Sequence, residues 1–157
     1  MEVKEDPMFK KIMFCTDLSK NSDDTFPYAL DLAKKYQGHL IIVHVIEQPP
    51  QSGFVDLYVT EDIRERIKKE RQEYVKNEIE SRYISKMGNF TDYEVVSLES
   101  SEAPYYPILD LAKKKDVDLI VLGTHGRTGI EKAIFGSVAE RICRRAACPV
   151  LTIRSVN

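Results

Sequence analysis

The chain has 157 residues, 43% of them hydrophobic and 31% charged, which is typical of a one-domain globular protein and excludes disordered, collagen-like and coiled-coil chains. Its 23 Lys and Arg and 25 Asp and Glu give a formal net charge of -2, so no overall field would hold a nucleic acid or a membrane surface. The 3 cysteines include no Cys-x-x-Cys pair and the 3 histidines lack the spacing of metal ligands, which favours neither a disulfide framework nor a metal site made of side chains.

Signals for membrane insertion or secretion are also missing from the sequence. No run of about 18 apolar residues is present, and residues 1–10 are mostly polar where a signal peptide would be apolar. We therefore expect a cytoplasmic protein without a membrane or nucleic-acid partner. Residues 1–8 are predicted to be a flexible tail and residues 9–157 a single nucleotide-binding domain. The prediction that this domain binds a nucleotide depends on the glycine pattern described below.

The first part of the chain predicts two buried strands with a helix between them. Residues 11–15 and 39–46 are short, nearly continuous apolar runs, as expected for strands of a parallel sheet that is covered on both faces. Between them, apolar residues recur at helical spacing from Phe26 to Tyr36, after a Ser/Asn/Asp cluster that can cap a helix. Pro27 fits only near the first turn of such a helix.

The middle of the chain predicts a loop and then a long helix. Residues 47–60 contain Pro49-Pro50, and the apolar segment 54–58 within them either covers a ligand or packs on a second subunit. Residues 61–86 carry one apolar stripe with mixed charges on the other faces, which we interpret as a solvated helix surface. The stripe consists of Ile63, Ile67, Tyr74, Val75, Ile79 and Tyr83.

The last part of the chain repeats the alternation of strands and helices. Strands are predicted at 92–98, 118–123 and 149–153, the second half of a helix at 107–115, and a final helix at 137–145. Strands separated by helices imply right-handed crossovers and a mainly parallel sheet with helices on both faces. The predicted fold class is therefore α/β with three layers.

Four of the seven glycines lie close together after the fourth strand, at Gly123, Gly126, Gly129 and Gly136. A strand that ends in a glycine-rich turn before a helix can hold phosphate oxygens, because backbone N–H groups point outward and no Cβ blocks their approach. Ser137 follows Gly136 at the start of the final helix, where free N–H groups and the helix dipole favour an anion. The alternative is ordinary turn chemistry, with Ser137 as a simple N-cap.

Two common nucleotide motifs are absent from this stretch. The chain contains no Gly-x-Gly, so the dinucleotide fingerprint is missing, and it contains no P-loop with the Gly-Lys-Ser/Thr ending. A conventional dehydrogenase and a P-loop motor are both disfavoured. Any phosphate site here would be of another type.

The spacing Gly123-x2-Gly126-x9-Gly136-Ser137, after an apolar strand and before a helix followed by Cys-Pro-Val-Leu-Thr-Ile, resembles the nucleotide-binding signature of the universal stress protein family in its ATP-binding branch. The resemblance covers nearly the whole chain, including Thr16-Asp17 after the first strand. It implies a five-stranded sheet in the order 3-2-1-4-5. Strands one and four would then lie side by side at the point where the connections reverse, and open α/β sheets bind their ligands there.

The resemblance also implies which residues contact the nucleotide. Gly126, Gly136 and Ser137 would contact the phosphates, with N–H groups of Val138 and Ala139. Gly123 would face Asp17 across the nucleotide cleft, and Asp17 would accept a hydrogen bond from the ribose or the adenine. The base pocket would be lined by Cys15, Thr16, Val45 and Leu122. From the residues alone, Asp17 could equally serve in capping, and Val45 and Leu122 could be plain core.

For two further residues of the glycine stretch, Arg127 and His125, the sequence allows two interpretations each. Arg127 either pairs with a terminal phosphate or is an exposed loop arginine. His125 either orients a phosphate or caps the strand, and neither residue has a nearby Asp or Glu in sequence that would suggest a general base. The implied cofactor is ATP, with Mg held through its phosphates and no protein side chain as a metal ligand.

Two departures from the family pattern bear on the cleft. Position 15 is Cys where a Pro is common, a change that would loosen the base pocket. Residues 101–107 replace the usual Gly-x-Pro entry to the third helix and suggest a rearranged loop.

Three functions are compatible with this pattern. The first is an ATP-binding regulatory or stress-response protein whose nucleotide occupancy changes its dimer or partner interactions. The second is a dimeric interaction module of the same fold that works without nucleotide. The third is an adenylating enzyme, which would show a Ser-Gly-Gly-x-Asp-Ser loop after strand one where this chain has Thr-Asp-Leu-Ser-Lys-Asn-Ser, so we expect no enzyme activity beyond slow ATP hydrolysis.

The fifth strand is the expected contact to a second copy of the chain. In the order 3-2-1-4-5, residues 149–153 form an apolar edge strand, and an unpaired edge invites pairing. We therefore predict a homodimer through this edge, and the unknown protein partner is left open. Arg141, Arg144 and Arg145 complement the dipole of the last helix or bind an anionic partner.

Overall fold

The computed structural model describes residues 8–48, 59–125 and 136–155. The expectations for the tail 1–7, for the covering segment 54–58 and for Gly126 and Arg127 concern residues outside this range. In chain order the described elements are β1 (Lys11–Thr16), α1 (Lys20–Tyr36), β2 (His39–Glu47), α2 (Glu61–Arg82), a short 3-10 turn (Ile84–Lys86), β3 (Tyr93–Ser100), α3 (Tyr105–Lys114), β4 (Leu119–Gly123), α4 (Ser137–Arg145) and β5 (Val150–Ile153).

The strands form one parallel sheet in the order β3-β2-β1-β4-β5. This confirms the predicted α/β fold and the predicted order. Cys15 lies opposite Val43 of β2 and opposite Leu122 of β4, so β1 and β4 are neighbours in the middle of the sheet. Their carboxyl ends therefore open at the same place.

Helices cover both faces of the sheet because side chains alternate between the two sides of each strand. Ile12 and Phe14 pack with residues of α1 and α2 in one core. Met13 and Cys15, one position along, pack with residues of α3 and α4 in the other core. Each nearly continuous apolar strand thus serves two cores, which is the reason that its sequence shows no alternation.

The start of α1 differs from the prediction. The helix begins at Lys20, capped by the Ser19 side chain, which accepts a hydrogen bond from the Ser22 N–H. Pro27 therefore lies inside the helix and not near its first turn, so that prediction is wrong. Its ring is tolerated because the residue is exposed, and the helix loses one backbone hydrogen bond there.

The long helix also differs from the prediction. It ends at Arg82 and continues as the 3-10 turn, so the helix predicted over 61–86 is α2 plus that turn. Only its second half packs on the sheet, because Val75, Ile79 and Tyr83 are buried whereas Tyr74 is 60% exposed. Ile63 and Ile67 are also exposed, so the predicted stripe is not one continuous core face.

The two remaining helices lie near their predicted positions. The sequence predicted the second half of a helix at 107–115. Because α3 begins at Tyr105, that segment is nearly the whole helix. α4 has the predicted bounds, but its N-cap is Gly136 and Ser137 is the first helical residue, so Ser137 is not the N-cap. This shift brings the Ser137 backbone N–H into the first turn.

Candidate functional site

A cavity of about 600 Å³ lies at the carboxyl edge of the sheet, where β1 and β4 end side by side. This volume is within the range of ligand pockets in proteins. The position is the reversal point of the sheet, because the chain leaves β1 toward one face and β4 toward the other. Fold and cavity therefore single out the same place.

The cavity brings the described members of the predicted site together. Eleven of the thirteen predicted residues line it, and the other two, Gly126 and Arg127, lie outside the described ranges. The eleven are Cys15, Thr16, Asp17, Val45, Leu122, Gly123, His125, Gly136, Ser137, Val138 and Ala139. Their roles toward a ligand remain predictions.

One wall of the cavity is the N-terminus of α4. Gly136 has extended backbone angles and its N–H donates to the Thr124 carbonyl at 2.6 Å; as a glycine N-cap it has no side chain to cap the helix. The N–H groups of Ser137, Val138 and Ala139 have no acceptor within the helix, since the first regular hydrogen bond is donated by Glu140. Three N–H donors and the positive end of a helix dipole thus border the cavity.

A second wall is the turn after β1, which carries Asp17. The Asp17 Oδ1 accepts hydrogen bonds from the Ser19 N–H at 3.0 Å and from the Ser22 hydroxyl at 2.7 Å. Leu18 has a φ of 63°, in the left-handed region that β-carbon-bearing residues avoid. The carboxylate of Asp17 is therefore held in one orientation by its own turn.

The floor of the cavity is apolar. Cys15, Val45 and Leu122 line it and are each at most 9% exposed, so Val45 and Leu122 belong to the core as well as to the cavity wall. Burial, with a smaller contribution from Cys148, raises the pKa of the Cys15 thiol to about 12. The residue is therefore a neutral thiol at physiological pH and offers a contact rather than a nucleophile.

The end of β4 is tied to α1 by Asn21. Its Nδ2 donates to the His125 carbonyl at 2.9 Å, and the His125 ring hydrogen bonds the Thr124 hydroxyl at 2.9 Å through Nδ1. A Cβ on Gly123 would lie 2.9 Å from Asn21 Cγ, so it would displace the Asn21 side chain that ties α1 to this strand end. This gives Gly123 a packing role besides any role toward a phosphate.

Several cavity residues were missed by the sequence analysis. Arg71 and Tyr74 of α2 line the cavity although their helix face was interpreted as solvated, and Pro104 and Ile108 border it from the other side of the sheet. His44 also lines it and donates its Nδ1–H to the Thr16 carbonyl at 2.8 Å. His44 could have been found from the sequence, because it directly precedes the predicted site residue Val45 near the end of a buried strand.

Among the described residues, no three His, Cys, Asp or Glu side chains are close enough to form a metal site. None of the described helices has the length and apolar character that crossing a bilayer requires.

This chain is similar in sequence to a known protein family and to several of its members. The model of the universal stress protein family matches residues 8–154. Universal stress protein MJ0531 of Methanocaldococcus jannaschii is 33% identical over 147 residues, which cover 94% of this chain and 83% of that protein. Universal stress protein YxiE of Bacillus subtilis is 30% identical over 154 residues, which cover 94% of this chain and 100% of that protein.

Solved structures show the same fold. The universal stress protein UspA of Lactobacillus plantarum superposes with a TM-score of 0.75 at 23% identity, covering 93% of this chain and 98% of that chain. Two other similar structures contain nucleotides: a universal stress protein in complex with cAMP, with a TM-score of 0.58, and one from Archaeoglobus fulgidus in complex with dAMP, with a TM-score of 0.62. From the match of the family model over nearly its whole length, the chain belongs to the universal stress protein family.

Proposed function

We propose that the cavity binds an adenine nucleotide, that ATP with Mg is its ligand, and that occupancy changes how this cytoplasmic protein associates with its own copies or with another protein. The observation that carries the proposal is that three N–H donors of α4, the Asp17 carboxylate and an apolar floor border one cavity. These are the groups that phosphates, a sugar hydroxyl and a base require.

The phosphate end of the ligand is assigned to α4. Ser137, Val138 and Ala139 would donate their N–H groups to phosphate oxygens, with Gly136 leaving the approach open on the loop side. Gly126 and Arg127 belong to the same proposed phosphate site by their place in sequence. Mg would be held by the phosphates, in keeping with its preference for few protein ligands.

The base and sugar end is assigned to the sheet. Cys15, Val45 and Leu122 offer an apolar surface to the flat face of a base, and Asp17 offers acceptors to a ribose hydroxyl. The complexes of related folds with cAMP and dAMP support adenine as the base. The proposed role is binding rather than catalysis, because neither the sequence nor the described cavity presents an evident general base beside a positioned nucleophile.

Thermal unfolding with increasing MgATP, AMP or GTP tests this proposal. A ligand that binds only the folded state raises stability by RT ln(1 + [L]/Kd), so the midpoint should rise with MgATP and less with GTP. The protein must first be freed of copurified nucleotide, checked by absorbance at acid pH after precipitation. No rise up to millimolar MgATP would refute nucleotide binding.

A second candidate function, a dimeric module that works without nucleotide, is favoured by the edge position of β5. The carbonyls of Pro149 and Ile153 accept from the Ile120 and Thr124 N–H groups at 3.0 and 2.9 Å, so the backbone groups of Val150 and Thr152 point away from β4. All four residues of β5 are partly exposed. This edge can therefore pair with the same edge of a second copy.

Sedimentation of the protein with and without MgATP separates the two functions. A dimer at micromolar concentration in both states favours the nucleotide-independent module, and a dimer that depends on MgATP favours the first proposal. Thr152→Pro removes an outward N–H and should give a monomer, whereas Thr152→Val keeps the N–H and should remain a dimer. A wild-type monomer in every condition would refute pairing through β5.

A further inference from the structure

Tyr83 carries a hydroxyl group but is completely buried, at 0% exposure, next to the turn that holds Asp17. Its ring packs between Phe14 and Phe26, with ring centroids 5.2 and 4.9 Å away. A buried hydroxyl has to be hydrogen bonded or it destabilises the fold. The hydrogen-bond partners of Tyr83 connect α2 to the cavity.

The hydroxyl joins two residues from different elements. Tyr83 Oη donates to Asp23 Oδ1 of α1 at 3.0 Å and lies 2.6 Å from Thr16 Oγ1 at the end of β1. Asp23 is also fixed from α2, because Arg82 Nη1 donates to its Oδ2 at 2.7 Å. Arg82 in turn donates from Nε to Glu78 Oε2 at 2.7 Å.

The direction of each hydrogen bond follows from the chemistry of the groups. The Asp23 carboxylate can only accept, so the single hydroxyl hydrogen of Tyr83 points to it. Tyr83 Oη is then left as an acceptor, and the Thr16 hydroxyl has to donate to it. Thr16 Oγ1 accepts in turn from the Leu18 N–H at 2.9 Å.

The chain of bonds ends on the strained part of the turn. Leu18 holds a left-handed φ of 63°, a conformation that persists only where surrounding contacts enforce it. Thr16 is the residue that fixes the Leu18 N–H, and Tyr83 fixes the rotamer of Thr16. The backbone of the turn that carries Asp17 is therefore linked to a tyrosine 67 residues from Thr16 in sequence, whereas the Ser19 N–H and the Ser22 hydroxyl hold the carboxylate itself.

We infer that Tyr83 is a positioning residue for nucleotide binding: through Thr16 and Leu18 it preorganises the turn that presents Asp17 to the ligand. The inference rests on the proposed function for its ligand. A preorganised acceptor binds more tightly because the ordering of the turn is complete before the ligand arrives. Without the Tyr83 hydroxyl, the Thr16 hydroxyl loses its acceptor, so its rotamer is no longer fixed and the hydrogen bond that it accepts from the Leu18 N–H becomes weaker.

Tyr83→Phe tests the inference because it removes one oxygen and leaves the packing of the ring in place. In the nucleotide-free protein, hydrogen exchange of the Leu18 amide should become about tenfold faster. The reason is that the Thr16 hydroxyl, which accepts from this amide, is no longer held by Tyr83, and the loss of one net hydrogen bond corresponds to about that factor. The Kd for MgATP, measured by calorimetry well below the unfolding midpoint, should rise about tenfold for the same reason.

Ile79→Val is the matched control. Ile79 is 1% exposed one turn earlier in the same helix and packs in the same core, so its truncation lowers the unfolding midpoint without touching the hydrogen-bond chain. This variant should bind MgATP as the wild type does and should leave Leu18 exchange unchanged. Thr16→Val combined with Tyr83→Phe should weaken binding no more than Thr16→Val alone, because both act through one chain.

The outcomes separate the inference from the proposed function. Wild-type protein that binds MgATP, with an unchanged Kd in Tyr83→Phe, would overturn the inference while leaving the proposed function intact. An equal loss of affinity in Ile79→Val would also overturn it, because general destabilisation would then explain the effect. Wild-type protein that binds no adenine nucleotide would refute the proposed function, and the inference would fall with it.

Discussion

Polar groups are bonded differently at the two ends of the parallel strands, which we call the amino edge and the carboxyl edge of the sheet. At the amino edge, polar groups pair with one another: Asp118 Oδ2 accepts from the N–H groups of Lys10 and Lys11 at 2.9 and 2.8 Å, and Lys11 Nζ donates to the Lys115 carbonyl at 2.7 Å. At the carboxyl edge, the N–H groups of the first turn of α4 have no acceptor in their helix and border a cavity.

The side chains follow the same division. At the amino edge, His39 Nδ1 donates to Asp92 at 2.7 Å and Lys115 pairs with Glu94 at 2.7 Å. At the carboxyl edge, Asp17 is held by its own turn beside the cavity. One edge therefore closes the fold, whereas the other borders the cavity that we propose as the nucleotide site, so substitutions at the two edges should separate stability from binding.

The largest expected effect comes from Gly136→Asp at the carboxyl edge. A carboxylate at the N-cap should cap α4 and raise stability slightly, but it would repel a bound phosphate by about 3 kcal/mol, or about 100-fold in Kd. Gly136→Asn has the same shape without the charge, so it should lose affinity only through the presence of its side chain and should bind more tightly than Gly136→Asp. Calorimetric Kd values and unfolding midpoints of both variants check this, and equal affinities would contradict a phosphate at α4.

The next effect, at the amino edge, concerns Gly38. A Cβ there would lie 2.6 Å from the Phe9 carbonyl oxygen, a backbone atom that cannot move freely, so Gly38→Ala should lower the free energy of unfolding by about 2 kcal/mol. Nucleotide affinity should be unchanged. Urea unfolding and the Kd of the folded variant measure the two quantities.

Gly88→Ala provides the comparison for Gly38. Gly88 has a φ of +61°, and among the described residues no atom lies within 4 Å of the position that a Cβ would occupy, so a methyl group would meet no steric clash there. Its substitution should lower stability by about 1 kcal/mol through backbone strain alone. A larger loss for Gly88→Ala than for Gly38→Ala would contradict the steric explanation.

Asp118→Ala should have a smaller effect of about 1 kcal/mol on the free energy of unfolding, because two backbone N–H groups lose their acceptor but stay close to water. Asp110→Ala is the control, since its ion pair with Lys114 is exposed on both sides and contributes little. Urea denaturation at one pH compares them. Equal losses for the two variants would remove the structural role assigned to Asp118.

The smallest effect is a pH dependence at the amino edge. Lys115, as hydrogen-bond donor and positive charge, holds the pKa of the Glu94 carboxyl below its ordinary value. A lowered folded-state pKa contributes stability above the unfolded-state pKa, about 4.5, and loses it as the pH falls through the folded-state value. Lys115→Met should therefore be less stable than wild type at pH 7, with the difference shrinking below pH about 4.

Lys114→Met controls for the loss of one positive charge. Its partner Asp110 is 61% exposed, so this variant should stay near wild type at both pH values. Urea unfolding at neutral and acid pH measures the difference. A gap between Lys115→Met and wild type that persists unchanged under acid conditions would contradict the pairing with Glu94.

Local sequence patterns predicted most of the framework. The apolar runs at 11–15, 39–46 and 118–123 became central strands because a strand buried on both faces needs apolar residues at every position. The bounds of α4 followed from glycine and serine before an amphipathic helix. The cavity residues next to these strand ends were predicted through the family resemblance, because local pattern alone left Val45 and Leu122 as plain core and Asp17 as a capping residue.

Contacts between distant segments were beyond local patterns. The role of α2 is the clearest case: periodicity predicted one apolar stripe, but only its second half is buried, and Arg71 and Tyr74 line the cavity. Whether a helical residue faces a core, a cavity or water depends on which element lies opposite. Pro27 shows the same limit, since it is tolerated inside α1 because its side of the helix is exposed.

By itself the sequence determined the α/β class and the strand positions, because these depend on residues that are neighbours along the chain. Its resemblance to a family added the strand order. Only the tertiary structure decided that Tyr83 meets Thr16, and that the first-turn N–H groups of α4 and the Asp17 carboxylate border one cavity. Those meetings join residues far apart in sequence, and packing of the helices on the sheet sets their distances.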